Sequence, residues 1–130
     1  SYIYQGQYES NGIHRGFMCF PSSTNRSDLS GAIINSVRLR LRRRSAGGSS
    51  SAQTVRIYGH NYTATGGGYD LGTNYGDIGS WAWGEDKWIS IPISVGQNLR
   101  DSVIQGLALF RDSSPYVTCG LAQLEIVYTK

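Results

Sequence analysis

A chain of 130 residues with a formal net charge of +3 is one domain in size, long enough to bury a core without disulfides or metals. No run of about 18 apolar residues occurs, so no spanning helix is expected, and the N-terminal SYIYQGQYES lacks the basic and apolar regions of a signal peptide. Glycine is abundant (17 residues) and Tyr (9) with Trp (3) outnumbers Phe (3), a bias that fits an all-β domain with many turns and some displayed aromatics.

The first residue is Ser rather than Met, so residues 1–130 are expected to be a single domain excised from a longer protein. Ile13 to Phe20 (IHRGFMCF) reads as a first strand, closed by Pro21 and the polar loop SSTNRSD. The segment VRLRLRRR, Val37 to Arg44, then alternates strictly: Val37, Leu39 and Leu41 share one parity, Arg38, Arg40 and Arg42 the other. Successive side chains on a strand point to opposite faces, so this pattern predicts one buried and one guanidinium-lined face, in a strand opening at Ile33 or Ile34. Five of the ten arginines lie between Arg38 and Arg44, which makes the basicity a local patch.

Ser45 to Gln53 (SAGGSSSAQ) reads as a flexible hairpin connection, and Thr54 to Tyr62 as a strand with Val55 and Ile57 inward. Arg56, Tyr58, His60 and Tyr62 then share the outward face. From Thr63 to Gly84 neither strand nor helix periodicity persists, and a long loop of this kind is a candidate binding loop. Trp88 to Ile93 (WISIPI) predicts a strand with Ile89, Ile91 and Ile93 on one face, its Pro92 marking an edge or an end. Val95 to Val103 allows a turn or two of helix with Leu99 and Val103 aligned. Gly106 to Arg111 and Leu121 to Tyr128 read as buried strands, the second with Leu124, Ile126 and Tyr128 in and Gln123, Glu125 and Val127 out. Six or more strands and no long helix predict a β-sandwich of two antiparallel sheets.

The chemistry-bearing residues argue against an enzyme. His14 and His60 are the only histidines, neither lies in a GxSxG nucleophile motif, and no pattern pairs either with an Asp. Glu85 and Asp86 are adjacent and point apart on an extended chain, a poor acid/base pair for glycoside hydrolysis. No calcium-loop spacing and no phosphate loop occurs, since Gly66 to Gly68 is followed by Tyr69 and Asp70. Cys19 and Cys119, a hundred residues apart with no CxxC, make no zinc site; two buried thiols are favoured, with a disulfide between them left open. No catalytic residue, metal or cofactor is expected.

The stretch YDLGTNYGDIGSWAWGEDKW offers a stronger lead. Sugar rings have apolar faces and polar edges, so their sites combine aromatic platforms with planar hydrogen-bonding groups. Tyr69, Tyr75, Trp81 and Trp83 are the candidate platforms, with Arg56, His60, Asn61 and Asp86 as polar contacts; Trp88, beside the isoleucine strand, ranks behind them. Trp81 and Trp83 share parity across Ala82 and would face the same way if that piece is extended. The alternative is that most of these rings plug the end of the sandwich. An arginine row interleaved with Tyr also suggests nucleic acid, but two lysines in all and a modest net charge make a solvated or stacked sheet face the better account of Arg38, Arg40 and Arg42.

In order, HRGFMCF, INSVRLRLRRRSAGGSSSAQTVRIYGHNY, WGEDKWISIPI and LEIVY resemble a domain of bacteriophage tail and receptor-binding proteins, over about Ile13 to Tyr128. The resemblance implies a jelly-roll β-sandwich of the carbohydrate-binding-module type, carried on a tail, baseplate or fibre protein. It implies non-catalytic binding of a host cell-wall saccharide during adsorption, at the tail of a virion assembled in the host cytoplasm and acting at the host surface. The partners it implies are a bacterial surface saccharide and other tail subunits. The rival is a structural or assembly domain, for instance a homotrimer, whose aromatics and arginines meet neighbouring subunits.

Overall fold

The structure, a computed structural model, describes residues 3–7, 13–14, 16–19, 27–61, 71–111 and 116–130. Its strands are β1 (Ile3–Gln7), β2 (Ile13–His14), β3 (Gly16–Cys19), β4 (Ile33–Arg43), β5 (Gln53–His60), β6 (Asn74–Trp81), β7 (Asp86–Ile91), β8 (Gly106–Leu109) and β9 (Val117–Thr129), and an eight-residue helix, α1 (Ile93–Arg100), lies between β7 and β8; residues 27–29, before β4, are helical as well. They form two antiparallel sheets packed as a sandwich, one ordered β2-β1-β9-β4-β7 and the other β3-β8-β5-β6. Among the described residues no helix is long and apolar enough to cross a membrane.

The period-two pattern of β4 does what it predicts. Val37, Leu39 and Leu41 are buried and meet Val55 and Ile57 of β5, Leu107 and Leu109 of β8 and Val117 of β9 in one core. Arg38 and Arg40 face outward and are half-buried, while Arg42 is exposed. β4 lies between β7 and β9, so both its edges are paired along much of its length. A register shift between Ile34 and Ser36 marks a bulge near its start, where one extra residue enters the strand.

Several elements differ from the expected ones. β1 precedes the segment expected to be the first strand and pairs with β9, so the N-terminal residues belong to the sheet. The stretch from Ser45 does not close a hairpin: β4 and β5 lie in different sheets, and their connection crosses the end of the sandwich. The expected loop Thr63 to Gly84 contains β6, whose Ile78 and Trp81 enter the core; residues 62–70 lie outside the described ones. Gly76 and Gly79 within β6 adopt positive φ, and the β5–β6 ladder shifts register twice, which is why no clean alternation appears there. Pro92 ends β7, an edge strand, and opens α1, its missing N–H costing neither element a bond. Ile93 therefore starts a helix instead of continuing the Ile89 and Ile91 face and is exposed, and Tyr128, expected inside, is exposed as well. The polar stretch after Pro21 lies outside the described residues up to residue 26.

Arg43 has the inward parity of β4 and is fully buried. Its Nη1 donates to the carbonyls of Ser51 and Trp81, each at 2.9 Å, and its Nη2 to those of Ser49 at 2.6 Å and Gly47 at 3.2 Å. One guanidinium thus organises the β4–β5 connection around itself and ties it to the end of β6. Burial lowers its pKa, yet arginine stays charged at neutral pH, and the compensation comes from carbonyl dipoles rather than from a carboxylate. The turn closes tightly over it: a Cβ on Gly48, which has φ of 65°, would collide with the Tyr116 backbone. Replacing Arg43 by Met should orphan several carbonyls and cost on the order of 3 kcal/mol in urea denaturation, with Arg43→Lys recovering only part because one ammonium cannot reach all four acceptors.

Candidate functional site

The outer face of β9, β4 and β7 carries an ordered array of polar and aromatic groups. Directly opposed residues of an antiparallel pair project to the same side, so the register places them in rows. Across β7, β4 and β9 these rows are Ser90, Arg38, Glu125; then Trp88, Arg40, Gln123; then Asp86, Arg42, Leu121. At a strand spacing of about 4.8 Å and a same-face repeat of about 6.8 Å, the rows cover about 10 Å by 14 Å, room for a short oligosaccharide.

Each of the first two arginines is fixed by a fork. Arg38 donates from Nε and Nη2 to both oxygens of Glu125, at 2.7 and 2.9 Å. Arg40 reaches diagonally to Asp86, Nε to Oδ1 at 2.8 Å and Nη2 to Oδ2 at 2.7 Å, and its Nη1 donates to Gln123 Oε1 at 3.0 Å. The Arg38 guanidinium also stands 4.9 Å from the centroid of the Trp88 ring, which is 38% exposed. Two-point pairing holds these planar groups still, and stacking holds the indole, so the surface is preorganised.

Hydrogen bonds from Arg40 and Arg38, with their charges adding, hold the carboxyls of Asp86 and Glu125 below the usual carboxylate range; the nearby charge of Arg42 also acts on Asp86. The same bonds raise both guanidinium pKa values. Both carboxylates are thus ionised at neutral pH.

The residues named from sequence are scattered relative to this face. Asp86 is on it. Trp83 stands in the turn that leads into β7, 39% exposed, its indole N–H donating to Gly47 O at 3.2 Å. Trp81 is fully buried in the core, its indole N–H donating to Leu41 O at 3.1 Å, so it offers no ring face to solvent. The shared orientation expected for Trp81 and Trp83 fails because the chain turns at residues 82–85 instead of continuing as a strand.

Tyr75 is half-buried against the core and its hydroxyl accepts from Asn98 Nδ2 at 2.7 Å, which joins β6 to α1. Arg56 is on the opposite sheet, paired with Asp77. Tyr69 lies outside the described residues.

His60 is 2% exposed, and its Nε2 is 2.8 Å from Met18 O. Burial lowers its pKa, with backbone bonds opposing in part, so the ring is neutral at pH 7 and links β5 to β3. Gly106 makes room for it, since a Cβ there would meet His60 Nε2 at 2.6 Å. His60 thus points inward rather than sharing a face with Arg56 and Tyr58. With Asn61 it borders a shallow pocket of about 160 Å³, completed by Leu71, Thr73, Val103 and Ile104, well short of the ~300 Å³ from which small-molecule sites usually start.

Cys119 is a buried free thiol, with burial raising its pKa to about 12; the side chain of Cys19 lies outside those described. Among the described residues no three His, Cys, Asp or Glu side chains converge as a metal site.

Gln123 and Glu125 stand on this face without having been named as contacts from the sequence, and Trp88, Arg38 and Arg40, ranked there behind the other aromatics and polar groups, form its centre. The alternation of β4 and β9 already placed Arg38, Arg40, Gln123 and Glu125 outward. Which of them meet, and that Trp88 joins them, depends on the β7–β4–β9 register.

Neither protein-family models, nor curated proteins, nor solved structures give a match to this chain.

Asp86 and Glu125 have folded pKa values below their unfolded ones, so their contribution to stability is present above about pH 4 and lost as pH falls through the folded values. The thermal midpoint should therefore drop as pH falls below about 5, and an Asp86→Asn/Glu125→Gln variant should show a shallower drop in a calorimetric pH series.

Proposed function

We propose that this chain is a non-catalytic saccharide-binding domain of a bacteriophage tail, used in host adhesion, with its site on the outer face of β9, β4 and β7. The observation that carries this is the exposed indole of Trp88, set among forked arginine–carboxylate pairs. An indole meets the apolar face of a pyranose, and fixed guanidinium, carboxylate and amide groups meet its hydroxyls as donors and acceptors together. Because Arg38 and Arg40 are already forked onto carboxylates, the face is poorly suited to track a phosphate backbone, which disfavours nucleic acid. One module binds weakly, and many copies on a tail would supply avidity.

Strand pairing supports the jelly-roll part of this proposal. With β2 and β3 given one number, renumbering gives eight strands in the orders 2-1-8-3-6 and 2-7-4-5, the second strand contributing to an edge of each sheet. First then pairs with last, second with seventh, third with sixth and fourth with fifth, the pattern of one long antiparallel ribbon rolled up.

One feature favours assembly as a second role. The same outer face continues past Glu125 to Val127 and Ile33, 45% and 66% exposed, an apolar end suited to contact with other tail subunits or two further copies of the chain.

Isothermal titration with a Gram-positive cell-wall polysaccharide should show saturable binding that Trp88→Ala weakens at least tenfold, about 1.4 kcal/mol, while stability changes by about 1 kcal/mol or less. Unaltered affinity in Trp88→Ala would remove the site from this face. Stable trimers by light scattering, dissociated by Ile33→Ser with no saccharide bound by any form, would replace saccharide binding with assembly.

A further inference from the structure

The opposite face of the sandwich carries a different charge arrangement. Arg56 Nε and Arg111 Nη1 both lie against the same oxygen of Asp77, at 2.9 and 3.0 Å. Two guanidinium nitrogens that each touch one atom are no more than about 6 Å apart, a separation that a single oxyanion can span. Among the described residues this pair shares the one carboxylate of Asp77, so the cluster has an excess positive charge. All three side chains reach solvent, with exposures of 32% for Arg56, 27% for Arg111 and 43% for Asp77.

Rings stand beside the charges. Tyr58 follows Arg56 by two residues on β5 and packs edge-to-face on Phe110, centroids 6.0 Å apart, and both are half-buried. Phe110 donates its backbone N–H to Arg56 O at 3.1 Å, which sets the end of β8 and Arg111 alongside β5. The cluster is thus positioned from two adjacent strands of one sheet, β5 and β8, and anchored to a third, β6, through Asp77.

We propose that Arg56 and Arg111, beside Tyr58 and Phe110, form a second binding site for an oxyanion carried on a ring, the carboxylate or phosphate of an acidic sugar. Asp77 aligns the two guanidiniums in the empty site, and the arriving oxyanion takes up the charge that Asp77 leaves unbalanced. The rings give the carrier an apolar contact that a free inorganic ion does not use. This site is independent of the Trp88 face: it lies on the other sheet and shares no residue with it.

The test is titration of the intact chain with D-glucuronate, glucose 1-phosphate, inorganic phosphate and glucose, followed by NMR of the arginine Nε–H signals. Glucuronate or glucose 1-phosphate should shift the Arg56 and Arg111 signals saturably, inorganic phosphate more weakly, and glucose not at all. The tighter of the first two identifies the anion as carboxylate or phosphate. Arg111→Gln should weaken that binding at least tenfold, Asp77→Asn should strengthen it by removing the competing charge, and Trp88→Ala should leave it unchanged. Equal response to glucose and glucuronate, or no response to any anion by a folded chain, would overturn the proposal. Weaker anion binding in Asp77→Asn, with the fold intact by its amide spectrum, would overturn it as well. Loss of polysaccharide binding in Trp88→Ala with anion binding retained would leave both sites standing; polysaccharide binding retained in that variant would remove only the Trp88 site, and anion binding lost in it would overturn the second site.

Discussion

The pleat of β4 couples the inside of this protein to its outside. Because alternate residues must point to opposite faces, the Val37, Leu39 and Leu41 positions that fill the core fix where Arg38, Arg40 and Arg42 stand, and a one-residue slip would exchange the two sets. Burying a guanidinium row without partners would be far too costly, so the register is strongly specified. With β7 and β9 on either side, that register brings Asp86 and Trp88 from one strand, and Gln123 and Glu125 from the other, onto the arginine row. The outer face is therefore a by-product of the same constraint that builds the core.

Arg43 marks where this constraint meets the end of the sheet. Its inward parity puts a cation where Val or Leu would otherwise sit, and the chain answers by wrapping a loop of carbonyls around it. The connection from β4 to β5 needs such an organiser because it changes sheets rather than folding back as a hairpin, and a stretch rich in Ser and Gly has little apolar surface to hold it. Trp83 closes over the same loop through Gly47, so the turn before β7 and the crossing after β4 are one structural unit.

The two faces then use arginine differently. On the β9-β4-β7 sheet each of Arg38 and Arg40 has its own carboxylate, so charge is paired, geometry is fixed, and the exposed indole supplies the apolar contact. On the other sheet Arg56 and Arg111 divide one carboxylate, and charge is left over. The first arrangement suits a neutral ring with hydroxyls, the second an anionic group.

Much of the architecture was legible along the chain: the strands β4, β5, β7 and β8, most of β9, the short helix after Pro92 and the two-layer plan all follow from period-two alternation and turn residues. β6 was not, because its two positive-φ glycines and shifted register erase the alternation on which a strand is recognised. The sequence by itself determined which residues face out along the middle of β4 and of β9, since that depends on the pleat, but not at strand ends, where His60 is buried and Tyr128 exposed. Tertiary structure alone decided which outward residues meet, because partners such as Arg38 and Glu125 are 87 positions apart and only register aligns them. It also decided that Trp81 is core and Trp88 surface: both are indoles in one aromatic stretch, and only the turn at residues 82–85 sends one inward and sets the other on the open face.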